Sequence, residues 1–283
     1  MKNYFILLFT LTAFLSAVAQ EGLHTRDMEL PCIDKNFNVY LHVSVDSTSR
    51  QPVLSTTEME TLMEDVSKYF EPLCISFTNC EINIIRNYTF YRIVNQDRLR
   101  ELEILYGKPR RLNVYIVGSI PQASCGFSTY NGIARAGGES IFIELDDLEC
   151  AETLEMQLAH HLGHFLGLRD TYYEADDETL KIVDDPDCAV TGDGLCDTPV
   201  DPFGLYEASP AGRYTNNVLP EQVPMSAFVR GCEFIHEERD PNGRYYQPQT
   251  GNIMSAYPCK CGFTNGQFLR MFENYTKSEY KPY

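Results

Sequence analysis

Apolar positions in the first half of the chain alternate between two periods. NVYLHVSV (38–45) alternates every second residue and is rich in β-branched side chains, which predicts a strand. In EMETLMEDVSKYF, Met59, Leu62, Met63, Val66 and Phe70 return at helical spacing, and Thr56 or Thr57 can cap that helix. CISFTNCEINII (74–85) reads as a second strand region. DRLRELEILYG (97–107) reads as a helix stopped by Gly107 and Pro109. RLNVYIVGSI (111–120) is apolar enough for a buried strand, and SIFIEL (140–145) is expected at an edge beside a cleft.

The stretch CAETLEMQLAHHLGHFLGL (150–168) is a helix with Thr153, Leu154, Leu158, Leu162, Phe165 and Leu166 on its apolar face. Gly167 is placed to end it. From Arg169 to about Pro248 the chain is rich in Asp, Gly, Pro and Tyr and shows little periodicity. It is expected to be largely loop, pinned by disulfides or ions. TNGQFLRMFENYTKS (264–278) closes the chain as a helix, capped by Thr264 with Gln267 in the capping-box position.

The first residues change the setting. Lys2, an apolar run from Tyr4 to Leu15 and the small-residue exit Ala17-Val18-Ala19 make residues 1–19 a signal peptide, with the mature chain starting at Gln20. That run is shorter than the ~20 residues of a membrane span, and no later stretch qualifies. An exported chain is therefore expected, secreted or periplasmic. Its formal charge of -17 becomes -18 without Lys2, which disfavours nucleic acid and anionic membranes as partners. In that compartment the ten cysteines are disulfides rather than metal ligands, because no C-x-x-C knuckle occurs. Five precede the 150–168 helix or begin it and five follow. If all ten pair, at least one bridge must join the two halves; a free thiol would undo that inference.

His160 and His164 stand four apart on a helix, so their rings rise from one face, one turn apart. Two imidazoles so placed can clamp one tetrahedral zinc. Three of the six histidines of the chain, His160, His161 and His164, fall within five residues of an otherwise apolar helix. The glycine three residues later lets the chain turn back and return a third ligand.

Here the sequence resembles a known family. LAHHLGHFLGLRDTY (158–172) is similar to the extended zinc motif of metzincin peptidases, H-E-x-x-H-x-x-G-x-x-H, in the form found in pappalysins. TGDGLCDTP (191–199) resembles the pappalysin loop after the zinc helix. GNIMSAYP (251–258) resembles the Met-turn, with Met254 as the apolar floor beneath the metal. FTNGQFLRM (263–271) resembles the segment that follows, and RLNVYIVGSI with SCGFSTY (124–130) resembles the family's strand and next loop. The blocks run in order over roughly residues 36–275.

The resemblance implies an α+β metzincin-like zincin fold. A twisted mixed β-sheet and the zinc-site helix form an upper subdomain (36–167) after an N-terminal segment (20–35). An irregular lower subdomain (168–278) carries the Met-turn and the C-terminal helix. It also implies zinc held by His160, His164 and the residue at the third ligand position.

Three departures bear on activity. His161 stands where the family has its catalytic Glu, Asp170 where it has the third zinc-binding His, and Ala256 where pappalysins carry a Tyr, with Tyr257 one place on. A carboxylate reaches zinc at ~2.0–2.2 Å, so Asp170 is a workable ligand that needs its loop closer than a His would. His161 is a poor substitute base, since a nearby divalent cation opposes the imidazolium it would become. It could join the ligands instead, but adjacent helical residues point about 100° apart, which strains joint ligation. Ala256 removes a hydroxyl that the resemblance assigns to the tetrahedral intermediate.

Asp184, Asp185, Asp187, Asp193, Asp197 and Asp201 crowd the next loop. It is either a solvated acidic loop or a calcium site, and some pappalysin-like enzymes bind calcium there. Asp193, Asp197 and Thr198 are the candidate ligands. Asn87-Tyr-Thr and Asn274-Tyr-Thr are glycosylation sequons.

Three functional readings stay open on the sequence. The chain is a zinc metallopeptidase homologue, inactive or active with an altered base. It is a module that captures a peptide or protein segment along the cleft without cutting it. Or it is a structural exported protein with a vestigial site, which predicts no zinc.

Overall fold

The alternating segment forms β1 (Lys35–Ser44), and the second strand region forms β2 (Ile75–Ile85). RLNVYIVGSI supplies β3 (Leu112–Val117), and residues farther on supply β4 (Phe127–Ser128) and β5 (Glu139–Glu144). They make one sheet in the order β2-β1-β3-β5-β4. The β1–β2, β1–β3 and β3–β5 pairs are parallel, and β4 runs antiparallel to β5. The molecule is thus mixed α+β around a largely parallel sheet. In β1, Phe37, Val39, Leu41 and Val43 are fully buried, and so are His42 and Ser44 facing the other way. A central parallel strand is covered on both faces, so its pattern is apolar on one side only where a polar cluster lines the other.

The computed structural model describes residues 28–46, 48, 50–120, 127–128, 139–145, 153–172, 182–203, 229–237 and 239–278. The expected signal peptide, the mature start at Gln20, Cys125, Cys150 and most of SCGFSTY lie outside them.

Helices α1 (Thr56–Ser67), α3 (Leu154–Phe165) and α4 (Asn265–Lys277) share one core with the inward face of the sheet. Phe37 sits in it against Phe77 and edge-on to Phe165 and Tyr275. Helix α2 (Gln96–Tyr106) lies with a second core of Phe90, Leu99, Leu102, Tyr115, Val117 and Phe142. Hairpin strands β6 (Val229–Arg230) and β7 (Glu233–Phe234) stand beyond, in the irregular half. No helix among the described residues is long and apolar enough to cross a membrane.

Four expectations are corrected. The cap of α1 is Ser55, not Thr56 or Thr57: its hydroxyl accepts from the Glu58 amide, and Glu58 returns a bond to the Ser55 amide. Ser-x-x-Glu is itself the capping-box pattern, one residue earlier. The 97–107 helix begins at Gln96, because the Asn95 side chain accepts from the Arg98 amide as its cap. β5 is not the edge strand, since β4 pairs outside it. The forced bridge between halves also falls away. Cys32–Cys74, Cys188–Cys196 and Cys232–Cys259 each close within one half, and Cys80 and Cys261 are free and exposed. Cys80 is the extra residue at the β-bulge where the β1–β2 register slips between Val39 and Tyr40.

The capping box expected at α4 is present: Thr264 Oγ1 accepts from the Gln267 amide, and Gln267 Oε1 accepts from the Thr264 amide.

Candidate metal centre

Helix α3 ends in a Schellman turn that aims the chain back over its own last turn. The Gly167 amide donates to His164 O at 2.8 Å and the Leu168 amide to Gly163 O at 2.9 Å. Gly167 has φ +90°, a conformation that needs glycine. From α4, the Asn274 amide nitrogen lies 3.2 Å from both Leu166 O and Gly167 O and donates to these carbonyls of the reversal. Three residues past Gly167, Asp170 arrives beside the helix it has just left.

His160, His164 and Asp170 meet at one point. The two Nε2 atoms are 3.1 Å apart, and Asp170 Oδ1 lies 3.2 Å from the first and 3.3 Å from the second. Each Nδ1 has a carbonyl partner: Ile253 O at 2.9 Å for His160 and Leu168 O at 3.0 Å for His164. A carbonyl can only accept, so both Nδ1 atoms carry the proton and both Nε2 atoms of the neutral rings present lone pairs. Three acceptors therefore converge on one another. Asp170 Oδ1 is buried and receives no well-formed hydrogen bond.

Such a triangle is repulsive without a positive charge at its centre. A tetrahedral ion with bonds of ~2.0–2.2 Å spaces its ligands ~3.3–3.6 Å apart, close to the three sides observed. The residues fit a zinc-class cation, and the carbonyls on the outer nitrogens fix the tautomers as metal-binding histidines require. Burial depresses His160 to about 4, aided by the charge of Lys260. Burial opposes charge on His164 as well, but Asp170 beside it lifts its pKa above the ordinary value. Asp170 is also buried, yet His164 and His160 hold its carboxyl well below the usual carboxylate range.

His161 is also in this group. It is buried, and one of its ring nitrogens lies within 4.8 Å of the ligand atoms of both His160 and His164. The helical offset does not carry it away as far as expected. Burial first, then His160, His164 and Lys260, push its pKa well down.

Met254 lies under this helix. A Cβ on Gly163 would come 2.5 Å from Met254 Sδ, so the helix and the turn touch where only glycine leaves room. The turn is held from three sides. Met254 O accepts from the Thr171 amide, the residue after Asp170, at 3.0 Å. The Met254 amide donates to Asn252 Oδ1, and the Asn252 and Gln267 amides pair reciprocally at 3.1 Å. Thr171 Oγ1 and Tyr257 OH both donate to Asp201, at 3.0 and 2.8 Å. Tyr257 is thereby committed, fully buried beside Val229, and Ala256 offers no hydroxyl.

Several residues of this centre are invisible to motif reading. Lys260 is 5% exposed and its Nζ lies 3.4 Å from His160 Nδ1. Nothing in the local pattern marks a lysine between two cysteines as buried. Asn274 carries a sequon, yet its amide works as a clamp on the α3 terminus. Asp201 stood in the acidic run, but accepts from Thr171, Tyr257 and the Phe203 amide.

The structure brings Asp193 and Thr198 of the candidate calcium residues together and places Asp197 apart, at the start of α4. Asp193 accepts from Thr198 Oγ1 at 2.6 Å and from the Leu195 amide at 3.0 Å. Asp197 accepts from Thr264 Oγ1 and from the Gly266 amide, at the N-terminus of α4 where a carboxylate is favoured. Among the described residues, the three histidines are the group gathered as a metal set, and these aspartates are not part of one.

No family model matches the chain, and no curated protein matches it. Among solved structures it is similar to metalloproteinase-II from Bacteroides fragilis, at 12% identity over 52% of this chain and 46% of that one, with a TM-score of 0.34. It is also similar to a chain described as the structure of a chaperone-substrate complex, at 14% identity over 61% of this chain and 30% of that one, TM-score 0.34. The chain thus spans less than half the length of either. At such scores neither likeness carries a conclusion.

Proposed function

We propose that the chain is an exported pappalysin-like zinc metallopeptidase homologue that keeps its metal and its cleft and has lost most or all proteolysis. The observation that carries this reading is the triangle of His160 Nε2, His164 Nε2 and Asp170 Oδ1, three lone-pair donors 3.1 to 3.3 Å apart. Those three atoms would hold the ion. Zinc bound there supplies a Lewis acid that polarises a carbonyl oxygen.

The chain's own groups fall short of the rest of the reaction. A peptidase needs a base to take the proton of the attacking water and return it to the leaving amine, a contribution of ~10²–10⁴ in rate. His161 stands at that position, buried and with its pKa held down by burial and by its neighbours, so it resists the proton it would have to carry. Ala256 cannot donate to a developing oxyanion, a loss of ~10²–10³, and the Tyr257 hydroxyl is bound to Asp201.

What remains is a metal-bearing helix beside the β4–β5 end of the sheet. In this reading an upper unit (36–167) and a lower unit (168–278) flank a cleft that takes an extended peptide or protein segment without cutting it.

The test is zinc content together with cleavage of a mixed peptide library, on the mature chain and on His161→Glu, alone and with Asp170→His. One zinc per chain, no cleavage by the natural protein and cleavage by a restored variant is the expected result. Chelator-sensitive cleavage by the unmodified protein would overturn the inactive reading, and absence of zinc would overturn the metal.

A further inference from the structure

We propose that His161 is a fourth protein ligand, which closes the metal centre into a cage of three imidazoles and one carboxylate. This rests on the metal reading above and deepens it: the site stores a cation rather than offering it to a substrate.

Buried histidines elsewhere in the molecule show how such a ring is normally accommodated. His42 is fully buried, with Nε2 3.2 Å from Asn113 Oδ1 and Nδ1 3.3 Å from Asn83 Nδ2, so both nitrogens have partners. His160 and His164 each have Nδ1 tied to a carbonyl. His161 differs. It is 6% exposed, and its Nδ1 is buried with no hydrogen-bond partner. A neutral imidazole left in that condition, in a packed core, lacks the compensation that buried polar groups require.

Its position puts the ring beside the other two histidines. The candidate ligand atoms of His160, His161 and His164 lie within 4.8 Å of one another. Ligands of one tetrahedral ion stand ~3.3–3.6 Å apart, so the His161 ring has to close on His160 and His164, and further on Asp170, which lies outside that group, to enter the same sphere. The other three ligand atoms stand 3.1 to 3.3 Å apart, close to that spacing. A general base would have been served by a carboxylate at this place; an imidazole is a neutral ligand of the type zinc favours.

The consequence is chemical. Zinc sites with four protein ligands are closed, whereas catalytic ones keep a position for water or substrate. His161 then removes activity by occupying that position, over and above being a weak base.

X-ray absorption at the zinc edge on the full mature chain counts the imidazoles directly, and cobalt substitution reports the geometry. Three imidazoles, one carboxylate and a four-coordinate tetrahedral cobalt spectrum are expected. His161→Phe keeps a ring without a donor, and His161→Gln keeps polarity should the first variant fold poorly. Either should weaken zinc binding by more than the ~10–100-fold that loss of an outer partner costs, and should shift the cobalt bands as solvent enters. Two imidazoles in the natural protein, or a His161 variant with unchanged affinity and spectrum, overturns the closure while leaving the metal intact. A natural protein that takes up no zinc, matching His160→Ala, overturns the metal reading and this inference together.

Discussion

The side-chain amide of Asn274 occupies the space that any side chain on Gly167 would enter, since a Cβ there would lie 2.1 Å from its Nδ2. The two positions are 107 residues apart in sequence and form one lock on the end of the histidine helix. Gly167→Ala should cost ~2 kcal/mol or more, from the positive φ and the collision together. Asn274→Ala leaves two carbonyls of the reversal without their donor, at ~1–3 kcal/mol. Because the second change empties the space the first needs, the double variant should be less destabilised than the sum, by at least ~0.5 kcal/mol. Urea unfolding of the four proteins measures this. Strict additivity would mean that the lock is not one.

Zinc should stabilise the folded chain. A ligand that binds only the native state contributes about 2.7 kcal/mol at 100 times its Kd, or roughly 5 °C in Tm for a chain of this size. Chelation should reverse the rise, and His160→Ala should abolish it. Thermal scans with and without zinc, showing the same Tm throughout, would count against a native metal site.

Stability should fall in mild acid through His42. Burial lowers its pKa, and Lys108 adds to this while its bond to Asn113 opposes it. Its folded value therefore lies below the ~6.5 of the unfolded chain. Above that pH both states are neutral and the stabilisation is whole. As pH drops below ~6.5 the unfolded state binds the proton first, so stability declines toward the folded pKa, by at most ~1.4 kcal/mol per pH unit. His42→Gln should flatten that part of the profile relative to the natural chain. Urea midpoints between pH 7.5 and 5 test it, and parallel profiles would reject it.

Gly163→Ala should push Met254 away from the helix, at a cost of ~1–3 kcal/mol, and loosen zinc binding through Ile253, whose carbonyl holds the His160 ring. Met254→Leu, similar in volume, should cost less than ~1.5 kcal/mol. Unfolding and zinc titrations on both variants decide the order. A Gly163→Ala protein with natural affinity would remove Met254 from any part in supporting the site.

Local chemistry made the elements legible. Met59, Leu62, Met63 and Val66 are buried along α1 as their spacing requires, and Thr264 with Gln267 caps α4 as the pattern reads. The meeting of His160 with His164 follows from helical geometry, and Gly167 marks where the chain can turn back. Relations between distant segments were not legible. The position of β4 outside β5 depends on a pairing that no local pattern encodes. The burial of Lys260 depends on what packs over it, and the duties of Asp197 and Asp201 depend on α4 and the Met254 turn. Cys80 could not be told from a bridging cysteine, because only the bulge beside Tyr40 shows where it goes.

The strand order also sets a timetable for synthesis. β1 is made first and lies inside the sheet, so β2 can join one flank and β3 then β5 the other as each is synthesised. β4 breaks the sequence, since it is made before β5 but pairs outside it and must wait. The histidine helix follows, and its clamp, Asn274, comes near the very end of the chain. A nascent protein would thus be complete in its scaffold before the end of the histidine helix could be clamped, so the geometry of that cluster would belong to the finished chain.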